Sequence, residues 1–424
     1  MATSFAVLAR RGAAALATAA VLGTATAPAA FADGTSPSPA APGLYGTGDP
    51  KFDGVFRQSL AFIAQHTAGV SPTGQAVDWL TGQQCADGGF PGFRADPKTP
   101  CDAKAGEFTD ATAAAVQGLA AVGGRDRAVA KGLDWLKAHQ NADGGWGMGP
   151  GNPSDANSTA IAVGAFAASG QDPAKAAVKD GKTPFDALSS FQIRCQEKEE
   201  KKDQAGAFGY MPQNGELPAN DLASTAAATA VLGKGFLVPA AKGADRPVRP
   251  AACGDGADAT QWNAAEAVAG YLVKKLDANG GHLKSSMPGA PEGPDTGATA
   301  DAALALAAGG HVEAARKPLK WLESADSKTA EWAKGNPGRL AKLVLAAHAA
   351  GADPRSFGGT DLVAALNETG PKPDPSSSSA SPEKKDEKKK DGGGFGAWWF
   401  VAVFFVASVG VGFLISGRKK KNQP

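Results

Sequence analysis

Cysteine is scarce in this sequence, with four residues in 424, and tyrosine, methionine and histidine number only three, four and five. The histidines, His66, His139, His282, His311 and His348, show no pairing that suggests a base or a metal ligand. Nor is there an excess of charge of one sign: 43 Lys+Arg stand against 42 Asp+Glu, a formal charge of +1. Such a balance gives no long-range field for collecting nucleic acid or acidic substrates, which excludes a basic nucleic-acid binder. No alternating β-branched stretch is long enough to make a sheet. What is present is a chain of 43% hydrophobic residues, enough for a real core, broken by 55 Gly and 29 Pro that imply many helix stops and turns.

The two ends read as addresses. Arg10 and Arg11 precede an apolar run from Gly12 to Ala27, and Ala30-Phe31-Ala32 offers small residues at the positions a signal peptidase reads. Residues 1–32 are therefore expected to be a signal peptide, with Sec and Tat export both open, and 33–50 a linker into a domain over 51–370. Residues 371–396 carry a Pro/Ser tract, a Lys/Glu run and three glycines with no large apolar residue until Phe395, the pattern of a flexible stalk. Ala397 to Ile415 is a charge-free stretch of 19 residues, close to the ~20 that cross a bilayer as helix, so a transmembrane helix is expected over 397–417. Arg418-Lys419-Lys420-Lys421 opens a basic tail, 418–424, whose charge places it in the cytoplasm. The expected location is the cell membrane, single-pass, with the large domain outside and the C-terminus cytoplasmic.

Cys85, Cys101, Cys195 and Cys253 all fall on the exported side, where an even count points to two disulfides. Three pairings are open. Cys85–Cys101 and Cys195–Cys253 are favoured, because each closes over a Gly/Pro-rich or charged loop. Without Cys-x-x-Cys or a His pair at ligand spacing, no metal is expected, and no cofactor.

Trp79, Trp135 and Phe191 are spaced 56 apart, as are Gln84, Gln140 and Gln196. A fixed period at several positions means repeated units. The same turn follows the first two glutamines, Asp87-Gly88-Gly89-Phe90 and Asp143-Gly144-Gly145-Trp146, with a third copy at Asn279-Gly280-Gly281-His282 and a degraded one at 206–210. Alanine-rich amphipathic runs, Thr112–Val122, Ser158–Ser169, Ser224–Gly233, Thr299–Ala308 and Leu340–Ala350, predict helices. Intervening helices near 54–66, 74–83, 126–139, 184–196, 260–276, 311–324 and 359–367 bring the total to about twelve. Two-helix units cannot bury their apolar faces alone, so the predicted fold is all-α: six stacked hairpins closing into an α6/α6 toroid, with an open solenoid as the alternative, plus the C-terminal transmembrane helix.

Lys131-Gly132-Leu133-Asp134-Trp135-Leu136, Gln140 and Asp143-Gly144-Gly145-Trp146-Gly147 resemble the QW-type repeat of squalene and hopene cyclases and of protein prenyltransferase β subunits. The resemblance covers roughly residues 50–367 and implies a barrel with a central, often apolar cavity. The family's chemistry is missing. Cyclases protonate an alkene from Asp-x-Asp-Asp, absent here. Prenyltransferases hold zinc with Asp-x-Cys and a distant His, and no Asp-x-Cys occurs. The thioester toroids use Gly-Cys-Gly-Glu-Gln, and Ala252-Cys253-Gly254-Asp255-Gly256 lacks its Gln. No catalytic residue is therefore assigned. The vitamin B12 carriers, a branch that binds without chemistry, make a non-catalytic toroid the leading expectation, taking a corrinoid or lipid for uptake or a protein partner, with a separate lid or transporter protein. An exported hydrolase, lyase or cyclase-like enzyme of the same class is the alternative.

Asp110, Asp155, Asp221 and Asp295 recur just before the alanine-rich helices, where each can accept N–H bonds as an N-cap. If the toroid is right they gather at one mouth. There Trp146, Asp155, Asn157, Phe208, Tyr210, Asp221 and Asp295 combine flat apolar surface with a few polar groups, the mix ligand pockets show, and form the candidate binding set.

Overall fold

A computed structural model describes residues 41–102, 106–195, 203–242, 245–251, 253, 263–285 and 293–372. The signal peptide, the stalk beyond residue 372, the transmembrane segment and the basic tail expected above lie outside these residues, as does Gln196. No helix among the described residues is long and apolar enough to cross a membrane.

The regular structure of the described chain is almost all helix. In order come α1 Gly54–Thr67, α2 Gly74–Gly82, α3 Thr109–Val122, α4 Asp126–Ala138, α5 Ala156–Ala168, a short α6 Pro173–Ala176, and α7 Pro184–Phe191. There follow α8 Asp221–Ala230, α9 Ala264–Ala278, α10 Thr296–Ala308, α11 Val312–Glu323, α12 Thr329–Ala333, α13 Pro337–Ala349 and α14 Leu362–Asn367. The strands are two residues each, pairing Leu283 with Asp295 and Lys284 with Pro294 in antiparallel sense.

Six of these helices form a closed circuit of contacts: α1 packs on α3, α3 on α5, α5 on α8, α8 on α10, α10 on α13, and α13 back on α1. Five of them are the alanine-rich ones, whose composition explains their place, and the sixth, α1, was expected among the intervening helices but is buried along almost its whole length. A helix apolar all round belongs inside, and small side chains let neighbours approach on both flanks. In α3, buried residues run nearly continuously from Thr109 to Ala121. The other helices are amphipathic; α4 buries Ala128, Gly132, Leu133, Trp135 and Leu136 and leaves its charged face in water. They pack against the circuit from outside, α4 on α3, α9 on α8, α11 on α10 and α14 on α13.

The repeat is a clamp between consecutive outer helices. Gln84 Nε2 donates to Gly88 O (3.0 Å) in its own turn and to Ala128 O (2.8 Å) in the next outer helix. Gln140 does the same to Gly144 O (2.8 Å) and Ala177 O (3.1 Å). The third clamp is Gln192, to Gly206 O (3.3 Å) and Ala264 O (2.9 Å), rather than Gln196. The 56-residue spacing of Phe191 misplaces the register by four. Leu80–Gln84, Leu136–Gln140 and Leu188–Gln192 are the equivalent pairs, so Ala187 takes the position of the tryptophan. A second recurring bond ties each turn to the inner helix. Hydroxyls of Thr112, Thr159, Ser224 and Thr299 accept from the backbone N–H of Phe90, Trp146, Phe208 and Leu283 (2.9, 3.1, 2.9 and 3.0 Å). These bonds align Leu283 with Phe90 and shift the fourth turn by one residue: Gly281, not Gly280, is the counterpart of Gly88.

Residues 41–49, expected to be linker, belong to the fold. Gly43, with φ +93°, lies against the Gln75 carbonyl of α2, where a Cβ would come within 2.5 Å of the oxygen. This repeats how Gly88 meets Lys131 O and Gly144 meets Thr183 O, so the N-terminal segment provides the turn that covers the first outer helix. Tyr45 behind it is fully buried, and its hydroxyl accepts from Gln65 Nε2 (3.0 Å). Buried Arg57 holds the segment through Tyr45 O (3.0 Å) and Gly48 O (2.9 Å). Both favoured disulfides, Cys85–Cys101 and Cys195–Cys253, are formed.

Candidate functional site

Of the four recurring aspartates, two cap helices. Asp155 accepts from Ser158 N (2.8 Å) and Asp295 from Ala298 N (2.8 Å). Asp110 and Asp221 sit two residues and one residue further in and cap nothing: α3 has no side-chain cap, and Asn220 caps α8. Asp221 instead takes the Tyr271 hydroxyl (2.6 Å), joining α8 to the outer helix α9 and holding that phenol well above its usual range, mainly through burial.

Trp146 and Phe208, expected at the mouth, are fully buried. Trp146 donates its indole N–H to Leu136 O (2.7 Å), and Phe208 is fixed through its backbone to Ser224, so both are spent on joining outer to inner helices. Their apolar faces meet protein rather than a guest. Asp155 (1% exposed), Asn157 and Tyr210 remain together, the Tyr210 carbonyl accepting from Ala156 N (2.9 Å) at the start of α5.

A cavity of about 240 Å³ draws lining from each of the six circuit helices: Phe56 of α1, Asp110 and Gln117 of α3, Asn157 and Ile161 of α5, Thr225 and Thr229 of α8, Asp301 of α10 and Lys342 of α13. Asp110, Asn157 and Leu222 are each the second residue of their helix, so those helix starts share one end of it. Its other wall is the segment Lys234–Phe236, folded back against the circuit. Phe236 N donates to Gln117 Oε1 (3.0 Å), and its ring meets Phe56 edge-on with centroids 6.2 Å apart. Gly235 and Gly164 permit this crossing, since a Cβ on Gly235 would fall 2.7 Å from the Gly164 Cα.

The cavity carries charge that the sequence reading passed over. Lys342 pairs with Asp301 across it. Lys234 donates to Ala308 O (2.7 Å), and burial, with Arg246 nearby, lowers its affinity for a proton. A signal existed: single charged residues interrupt the apolar runs of α10 and α13. Asp110 is the most displaced acid, pushed up to about 6 by burial and then by the Asp155 charge, with the Ser158 side chain pulling the other way. Asp155 is raised by burial, against hydrogen bonds at Ser158 and Asn157. Tyr210 is raised by burial and by both aspartates.

The sign of the linkage follows. An acid whose folded value lies above its unfolded 3.8 favours folding below that value and loses the contribution as pH rises through about 6. The full shift corresponds to roughly 3 kcal/mol. Asp110→Asn removes the buried charge but leaves a buried amide, so it is expected to stabilise the protein by about 1–2 kcal/mol at pH 8 and to bring no gain at pH 4. Urea unfolding at the two pH values checks this; equal effects at both would show that Asp110 ionises freely.

Other titratable groups serve the scaffold. His311 contacts Arg246 O (2.7 Å) and lies 3.7 Å from Glu266, and His282 stacks on Trp321 at 4.6 Å. Among the described residues Cys85, Cys101 and Glu107 bring metal-type ligand atoms together, but the two sulfurs are joined in a disulfide and offer no thiolate.

No family model matches the chain, and no curated protein does. A crystal structure of a protein from Actinoplanes is similar over 73% of this chain and 94% of that one, at 16% identity and a TM-score of 0.42.

Proposed function

We propose that this chain is an exported, membrane-anchored α6/α6 toroid of the QW-repeat kind that binds a small ligand in its central cavity without transforming it. The observation that carries the reading is the cavity, to which every helix of the closed circuit contributes and at whose rim polar side chains stand without partners. The paired cysteines suit an exported domain. At about 240 Å³ the space falls below the ~300–1,000 Å³ of pockets for drug-sized ligands, which favours a small molecule over a corrinoid or an intact lipid. The anchor over 397–417 would keep the domain at the membrane, where a separate transporter or lid protein would take the ligand on.

A second reading, an exported hydrolase or lyase, is favoured by Asp110. A carboxyl poised near 6 beside a second carboxyl is suited to exchange protons at neutral pH.

Native mass spectrometry of the full chain purified from its source organism tests the first reading. A small retained molecule is expected, lost in Ala226→Trp, which fills the cavity, and kept in Glu331→Ala on a different groove. No adduct on the unaltered chain, or an adduct that survives Ala226→Trp, would refute cavity binding. Recovery of a chemically altered ligand would select the enzyme.

A further inference from the structure

We propose that Asp110, Asp155 and Asn157 form a seat for the ammonium head of a small organic cation whose apolar body lies in the cavity; this rests on the ligand-binding reading above. Three buried oxygens at the starts of α3 and α5, Asp110 Oδ1, Asp155 Oδ2 and Asn157 Oδ1, make no well-formed hydrogen bond; Asp110 and Asn157 line the cavity, and Asp155 is close enough for its charge to act on Asp110. Interiors rarely leave such atoms unpaired, and here three occur on two neighbouring helices of the circuit. All are acceptors, and two belong to carboxyl groups. Their complement is a group with several N–H donors, no acceptor and a positive charge, which is the description of an alkylammonium.

The protein supplies no cation there: the hydroxyls of Ser158 and Tyr210 lie beside Asp110 and Asp155 but bring no positive charge. Asp155 spends its other oxygen on Ser158 N (2.8 Å). Of the lysines lining the cavity, Lys342 is paired with Asp301 and Lys234 with the Ala308 carbonyl. Among the described residues no ion pair reaches Asp110 or Asp155. The remaining wall near the seat is Phe56, Ile161, Leu222, Leu304 and Phe236, which would cover a hydrocarbon or aromatic body. That apolar wall, with Asp301 already paired to Lys342 and the Gln117 oxygen to Phe236 N, suits an organic cation better than a calcium ion, which takes six to eight oxygen ligands.

The charged groups around Asp110 are Asp155 and Tyr210 at the seat and Asp301, Lys342 and Lys234 along the cavity. Protonation of Asp110 toward pH 5 should therefore weaken cation binding, and Asp155, which burial raises in the same direction, adds to the loss.

The test is calorimetric titration of the full chain with 2-phenylethylammonium, the neutral 2-phenylethanol and calcium chloride, at pH 8 and pH 5. At pH 8 the ammonium is expected to bind at least tenfold more tightly than the alcohol, with the margin shrinking at pH 5. Asp110→Asn should erase the margin while leaving alcohol binding in place. Equal binding of ammonium and alcohol, or a margin that survives Asp110→Asn, would overturn the ammonium seat while leaving the cavity reading intact. Calcium that binds and displaces the ammonium would overturn it in favour of a metal site. If neither phenylethyl compound binds, or if both still bind Ala226→Trp, the cavity reading fails with it.

Discussion

Gly144→Val is expected to abolish folding, whereas Gly151→Ala, at a glycine of similar backbone angle, should cost only about 1 kcal/mol. Gly144 has φ +87° and Gly151 +76°, so both substitutions meet the strain of a left-handed conformation. They differ in what lies overhead. A Cβ on Gly144 would fall 2.3 Å from the Thr183 oxygen and 2.8 Å from its carbon, while nothing comes within 4 Å of one on Gly151. Thr183 caps α7, so the clash cannot be relieved without moving the next outer helix. The carbonyl of Gly144 itself receives Gln140, whose second bond reaches Ala177, so displacement would also strand a buried amide. Strain, clash and stranded amide together exceed about 5 kcal/mol, against a total stability of roughly 5–15. Soluble yield and thermal unfolding of the two variants give the comparison; a folded Gly144→Val within a few degrees of the parent would show that the turn is not pinned to α7.

Deleting residues 41–49 should be nearly as damaging. The deletion removes Leu44 and Tyr45 from the core and takes from Arg57 the carbonyls of Tyr45, Gly48 and Asp49. Arg57 is 4% exposed and would keep only its bond to Asp53 (2.8 Å), so taking three carbonyls from a buried guanidinium costs about 1.5–3 kcal/mol. Loss of a fully buried large aromatic costs about 3–5 more. The segment also spans the seam where α1 meets α13, through Gly46 N to Thr369 O (2.7 Å), and next to it Gln65 Nε2 bonds Asn367 Oδ1 (2.7 Å). Loss of cooperative unfolding is the expected result in circular dichroism and urea titration. Phe52→Ala, at a side chain 90% exposed, is the control and should change little. A deletion variant that unfolds cooperatively near the parent midpoint would mean that the circuit closes without its N-terminal turn.

These two cases mark the boundary between local and distant information. Helical hairpins were legible because alanine-rich runs, glycine stops and apolar periodicity act within a few residues. The cysteine pairs were legible for a related reason, since each joins the ends of a stretch that a repeat protein must fold back. Asp155 and Asp295 cap their helices as a residue preceding an amphipathic run should. Position alone, however, could not separate them from Asp110 and Asp221, two residues and one residue further along their helices.

By itself, then, the sequence determined the helical character and the repeated turn, because each is decided by neighbours along the chain, and among three open pairings it favoured the disulfides that are formed. Tertiary structure alone decided the register and the cavity. Gln192 replaces Gln196, and Gly281 replaces Gly280, because the clamp is defined by carbonyls of the next hairpin, which no period counted along one strand of sequence can locate. Trp146 and Phe208 could be read as inward-facing, but inward has two meanings in a two-layered ring, and only the packing of outer on inner helices shows that they fill the wall. Asp110 with Asp155, and Asp301 with Lys342, lie on separate helices dozens of residues apart. Closing the circuit brings each pair together, and burial there, a property of the assembled ring rather than of either residue, gives Asp110 its unusual affinity for a proton.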